Sequence, residues 1–253
     1  MTVAIMPGAE PWSHVATSPD APGALVIHGF TGNPSSMRGL AEAFAAAGYH
    51  VELPRLPGHG TSIDDMLTTS WPDWYGEAEA ALARLQARTS KVVVAGLSMG
   101  GTITLRLGAA HPEIAALVCV NPATQVLADM LPAIEAMIAD GTNVMPGIGS
   151  DIADPDSHES AYEGTPLPQL LSLSTDGLAP LAELIPATTL PLLLLSSPQD
   201  HVVDPAQGDY LAASWGGPLE RVILERSYHV ATQDYDKDLI NERSVAFADQ
   251  HVR

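Results

Sequence analysis

The sequence is short of positive charge. Lysine and arginine together number 11 against 30 aspartates and glutamates, for a formal net charge of −19 over 253 residues. Lysine occurs only at Lys91 and Lys237. Such a surface repels phosphate backbones, which excludes nucleic acid as an expected partner. It is equally ill-suited to anionic membranes and polyanionic substrates. A neutral small-molecule substrate fits it, and a salt-adapted host is a second source of the same acidity. Cysteine is nearly absent too. Cys119 has no partner for an intrachain disulfide, and its place in the apolar run 115–120 predicts a buried strand thiol. No apolar run reaches the length of a membrane span. The first thirteen residues hold no basic stretch followed by an apolar one, so no secretory leader is read there. A cytoplasmic protein without stable membrane insertion is expected, as a monomer or a homodimer. Internal repeats and low-complexity tracts are also missing.

What is present is an alternation. Short apolar runs at 24–28, 49–53, 91–96, 115–120, 191–197 and 219–225 read as strands. Helical patterns at 36–47, 71–88, 99–110 and 234–250 come between and after them. Strands apolar on both faces and separated by helices predict an α/β fold, with a mostly parallel sheet covered by helices on both sides. Ligands of such sheets sit at the carboxyl ends of the strands. The alternation fails between 124 and 189, where no strand is evident. Leu127, Met130, Leu131, Ile134, Met137 and Ile138 recur there at helical spacing, followed by a stretch rich in Asp, Gly and Pro from 141 to 168. The expected division is a core of residues 1–123 and 190–253, with 124–189 a small cap insertion over the sheet rather than a second domain.

The run 91–96 leads into Gly96-Leu97-Ser98-Met99-Gly100, a G-x-S-x-G pattern between strand and helix. A serine at such a sharp turn is lifted out of the strand in a strained conformation, and its neighbours two positions away must be small. Gly96 and Gly100 meet that demand, and Gly101 adds room. A serine hydroxyl is a weak nucleophile, so it needs a base, and the base needs a group to fix its tautomer. Where serine is mounted on an elbow of this kind, the chain order is Ser, then Asp or Glu, then His. His229 follows the strand at 219–225, and Asp200 follows the strand at 191–197. Their competitors are His201, which adjoins Asp200, and Asp204, which precedes Pro205 and suits a helix N-cap. The loop His28-Gly29-Phe30-Thr31-Gly32 follows the first clear strand. The amides of Phe30 and Met99 are the candidate donors to an oxyanion. His28 and His59 are read as braces of their loops in preference to catalytic groups.

These segments together resemble the α/β-hydrolase superfamily. They are H-G-F-T-G at His28, P-R-L-P-G-H-G from Pro54, G-L-S-M-G-G from Gly96, D-H-V-V at Asp200 and S-Y-H-V-A-T from Ser227. They are most similar to its small bacterial monoacylglycerol lipases and related carboxylesterases, over roughly residues 22–251. The resemblance implies a Ser98–His229–Asp200 triad, an oxyanion hole at Phe30 and Met99, and no metal or cofactor. It implies a cap that forms an apolar acyl tunnel, for which Met130, Ile134, Met145 and Ile148 are candidates, with Met137, Ile138, Val144 and Leu170 beside them. It also implies an acidic cap residue that meets a glycerol head group. Glu159 is the match, with a solvated surface glutamate as the alternative. A general short- or medium-chain carboxylesterase, a thioesterase, a cofactor-free haloperoxidase and a non-catalytic ligand receptor are the rival functions.

Overall fold

The computed structural model describes residues 3–252 apart from 127 and 129, so Leu127 of the helical stripe lies outside the described residues. Strands β1 (Trp12–His14), β2 (Gly23–Ile27), β3 (His50–Leu53), β4 (Val92–Leu97) and β5 (Ala116–Val120) precede the segment 124–189. A short ladder of β6 (Val144–Pro146) and β7 (Gly164–Pro166) lies within it, and β8 (Leu192–Ser196) and β9 (Leu219–Ile223) follow. The main sheet has the order β1-β3-β2-β4-β5-β8-β9. Its strands pair in parallel except at the edge, where β1 runs antiparallel to β3 with Trp12 opposite Leu53.

Alternation along the central strands feeds two cores. Val92 and Val94 of β4 face one hydrophobic cluster, and Val93, Ala95 and Leu97 face the other. On the second side lie α1 (Arg38–Ala46), contributing Leu40 and Phe44, and, from the end of the chain, the helix Lys237–Val252, contributing Ile240 and Phe247. Among the elements joining β3 to β4 are a short α2 (Ile63–Met66) and α3 (Trp71–Gln86). Helix α3 buries Trp74, Ala78, Leu82 and Leu85 in the first cluster, together with residues of α4 (Met99–Ala110). The Asp73 carboxylate accepts the Ser70 N–H at 2.9 Å and opens α3.

Between β5 and β8 the chain forms α5 (Leu131–Ala139), the β6–β7 ladder, α6 (Leu167–Ser172), a π-helical turn (Leu173–Leu178) and α7 (Leu181–Ala187). Leu181 and Ile185 of α7 return to the first core cluster. The ladder escapes sequence reading because three-residue strands ending in proline carry no period. Edge strand β1 was likewise too short to read. Helix α8 (Ala206–Ser214) has no apolar stripe to mark it, burying only Gln207, Gly208 and Leu211, although Asp204 accepts the Ala206 N–H at 2.9 Å, the capping contact its position before Pro205 suggests. The terminal helix Lys237–Val252 is α9. Among the described residues no helix is long and apolar enough to cross a membrane.

Candidate active site

Ser98 stands between the end of β4 and the start of α4 with φ 56° and ψ −120°. A non-glycine residue there carries strain of about 1–3 kcal/mol. The surrounding glycines show what enforces it. A Cβ on Gly96 would lie 2.1 Å from the Gly100 carbonyl oxygen, and one on Gly100 would lie 2.2 Å from that of Ile27. On Gly101 it would meet the Pro122 side chain at 2.6 Å. The Ser98 N–H donates to the Val120 carbonyl at 3.0 Å, and the Thr102 N–H donates to the Ser98 carbonyl at 3.1 Å. The Met99 amide, a turn earlier than Thr102, therefore has no intrahelical acceptor. Its side chain is buried in the first core cluster.

Asp200 and His229 meet at the same end of the sheet, in the loops after β8 and β9. His229 Nδ1 lies 2.7 Å from Asp200 Oδ2. A carboxylate only accepts, so Nδ1 carries the proton and Nε2 is left as an acceptor. The other carboxylate oxygen takes the Val202 and Val203 amides at 2.9 and 2.8 Å, which fixes its orientation. The competitors are occupied elsewhere. Asp204 caps α8, and His201, largely exposed, donates from Nδ1 to Asp151 at 2.8 Å.

Three further residues hold the histidine loop, and the sequence reading missed them. Asn121, at the end of β5 with φ 41°, donates from Nδ2 to the His229 carbonyl at 2.8 Å and accepts the Ser197 N–H at 2.7 Å. Its place just past a strand on the Ser98 side of the sheet was the available signal. Asp151 accepts the His229 N–H at 3.0 Å. The buried Asp234 carboxylate takes four amides, from Ala153, Asp154, Tyr228 and Tyr235, at 2.8 to 3.0 Å. Both acids sit in aperiodic polar stretches, which no pattern distinguishes from a solvated loop.

The loop after β2 closes on the serine. A Cβ on Gly29 would lie 3.3 Å from that of Ser98, and both Phe30 and Ser98 border the same cavity. His28 is buried, donates from Nδ1 to the Gly29 carbonyl at 2.9 Å and accepts the Leu56 N–H at 3.2 Å. Burial pushes its pKa down to about 4, so it is a neutral brace. His59 donates to the Pro57 carbonyl at 3.0 Å and is held well below the usual range, mainly by burial. Its ring packs 5.1 Å from His28 and 5.3 Å from Trp74.

The cavity has a volume of about 260 Å³ and is bordered by Ser98, His229 and residues of the segment between β5 and β8. Met130, Ile134, Ile148 and Leu170 line it as expected. Met145 does not, nor do Met137, Ile138 and Val144. In β6 the Val144 side chain packs toward Gly164 and Ile63, so strand alternation turns Met145 to solvent, where it is 37% exposed. Glu159 faces the cavity, with Oε1 3.0 Å from the position of a Cβ on Gly32 in the loop after β2. Burial raises its pKa, the neighbouring His229 opposes that shift and Asp151 adds to it. A carboxyl so placed is not a solvated surface group. Residues the sequence reading did not mark also form the wall, notably Leu173, Ser174 and Leu178.

Residues 24–243 match a family model described as the alpha/beta hydrolase family. A thermostable monoacylglycerol lipase of Bacillus sp. (strain H-257) is 41% identical over 252 residues, covering 98% of this chain and 97% of that protein. A carboxylesterase of Bacillus subtilis (strain 168) is 23% identical over 228 residues, 89% of this chain and 92% of its own. Among solved structures, one described for the metagenome-derived lipolytic enzymes LipS and LipT superposes with a TM-score of 0.92 at 42% identity, covering 98% of this chain and 100% of that one. The monoacylglycerol lipase of Paleococcus ferrophilus shares the fold at a TM-score of 0.73 and 16% identity, covering 96% of this chain and 99% of its own.

Proposed function

The chain belongs to the α/β-hydrolase family, and from that premise we propose that it hydrolyses the ester of a monoacylglycerol, with Ser98 as nucleophile, His229 as base and Asp200 as orienting acid. Ester hydrolysis is the activity of the relatives it matches along nearly its whole length. The observation that carries the site is the buried His229–Asp200 hydrogen bond, whose histidine borders the same cavity as the strained Ser98.

His229 Nε2 takes the Ser98 proton as Oγ attacks the ester carbonyl. The amides of Phe30 and Met99 receive the oxyanion, each worth roughly 3–4 kcal/mol of barrier. His229 then protonates the departing glycerol oxygen. Water, deprotonated by His229, attacks the acyl-serine and releases the fatty acid. No step calls for a metal or cofactor. The choice of a monoacylglycerol rests on the relatives' names and on an asymmetry of the cavity. Met130, Ile134 and Leu170 present an apolar wall to the acyl chain, and Glu159 presents an acceptor to two hydroxyls. The insertion 124–189 acts as the cap, anchored to the core by α7. We take the reaction to occur in the cytoplasm, consistent with one buried thiol and no disulfide.

A hydrolysis panel tests the reading: mono-, di- and triacylglycerols, acyl-CoA and short p-nitrophenyl esters, with wild type and Glu159→Ala. Monoacylglycerol should be the preferred lipid, and the variant should lose rate on glycerol esters only. Preference for acyl-CoA or for acetyl esters would replace the proposed substrate. Failure of a fluorophosphonate to label Ser98 would remove the enzyme mechanism.

A further inference from the structure

The wall that includes Leu173, Ser174 and Leu178 is not ordinary helix. Leu173–Leu178 is wound as a π-turn that continues α6, and the Ala179 N–H donates to the Ser174 carbonyl five residues back at 3.1 Å. Such turns are intrinsically unfavourable and persist where something outside them holds them. The winding has a direct effect on the cavity. An α-helix advances roughly 100° per residue, so residues five apart point about 140° away from one another. Closing the turn on the fifth residue instead returns Leu178 to the side of Leu173. Both side chains then border the cavity.

The holder is Arg106 on α4. Its Nη1 donates to the Asp176 carbonyl at 2.7 Å and to the Gly177 carbonyl at 3.1 Å, two oxygens of the wide turn. The guanidinium also lies over the rings of Trp71 and Tyr75, 5.7 and 5.8 Å from their centroids. Trp71 in turn fills the space beside Gly177, where a Cβ would meet its ring at 2.7 Å. Arg106 does not itself border the cavity.

We propose that Arg106 is a positioning residue for acyl-chain selection: by clamping the π-turn it keeps Leu173 and Leu178 together on the apolar wall. This rests on the reading of the cavity as an acyl site. If the clamp is released, the turn relaxes toward α-helix and Leu178 leaves the wall. The loss falls on substrates whose chains reach that wall and spares those that do not.

The test is the chain-length profile of Arg106→Gln on p-nitrophenyl esters from acetyl to dodecanoyl. Long-chain kcat/KM should fall about tenfold or more, chiefly through KM, as expected when apolar contacts are lost. Acetyl-ester turnover and fluorophosphonate labelling of Ser98 should stay near wild type. A profile parallel to that of wild type, or a uniform fall at every length, overturns the proposal, since a merely structural role predicts one of these. Deleting Thr175 tests the turn independently, because it removes the extra residue and sets Leu173 and Leu178 four apart, which an α-helix places about 40° from one another on one side. In that background the wall no longer needs the clamp, so adding Arg106→Gln should leave the chain-length profile of the deletion variant unchanged, and a further selective long-chain loss overturns the proposal. If wild type labels at Ser98 but hydrolyses no long-chain ester, the acyl reading itself has failed, a result distinct from either variant's behaviour.

Discussion

Ser98 and Leu178 border one cavity from two kinds of irregular backbone. At Ser98 the chain is compressed into a left-handed turn in which other main-chain atoms leave no room for a Cβ on the flanking glycines. At Leu173–Leu178 it is widened, and an arginine from a neighbouring helix fills the role that packing backbone fills at the elbow. Tight backbone is enforced by absence of side chains, and loose backbone by one side chain reaching in from elsewhere. The first kind leaves glycines at the constrained positions themselves and so shows in the sequence. The second is non-local and does not.

The sharpest way to break the comparison is at the tight end. Ser98→Ala or His229→Ala should lower kcat on p-nitrophenyl butyrate by roughly 10⁶-fold, the scale seen when a serine triad loses its nucleophile or base. A residual rate near wild type would mean that another group attacks. Asp200→Asn should cost about 10⁴-fold through the wrong histidine tautomer, with the fold retained. Gly100→Ala should do its damage to stability, by more than about 4 kcal/mol in denaturant titration, because the elbow cannot form around a methyl group. If this variant were as stable as wild type, the crowding argument for the elbow would collapse.

Smaller effects sharpen the picture around the site. His28 and His59 are kept neutral by burial, while in the unfolded chain they take up protons below pH about 6.5. Stability from these groups is present above that pH and is lost as pH falls toward 4. The slope is about 1.4 kcal/mol per pH unit for each. Glu159, held up by burial, acts with the opposite sign, so two histidines against one carboxyl leave a net decline. Thermal unfolding followed from pH 7 to pH 5 should show Tm falling, and a flat profile would contradict the assignment. Least affected is Met145→Ser. Its solvent-facing place in β6 predicts kcat/KM within about twofold of wild type, against a clear loss for Ile134→Ala on long-chain esters.

Much of the molecule was legible because many constraints mark the residues that bear them. The valines of β4 announce a strand buried on both faces, and the glycines at 96 and 100 announce a close approach of main chain. The positions of Asp200 and His229 follow from where their strands end. The wall was legible only in part. Helical spacing brought Ile134 forward, but the same spacing wrongly carried Met137 and Ile138 along, and apolar character alone put Met145 on the list. Leu173 and Leu178 are five apart, a separation that no α-helical period connects, so the pattern could not join them. Asp151, Asn121 and Asp234 act through hydrogen bonds to main-chain groups distant in sequence, which leave no periodic trace.

The four amides gathered by Asp234 have a mechanical consequence. Two belong to the insertion, at Ala153 and Asp154, and one belongs to Tyr228, the residue before the histidine. Asp151 adds a rivet by holding the amide of His229 itself. Along this seam the segment before α6 and the loop of His229 are tied together, so displacing one strains the other. On the reading of His229 as the base, an opening along that seam would disturb the base as well. Met130 stands exposed at the cavity's edge on a stretch that none of these five hydrogen bonds touches.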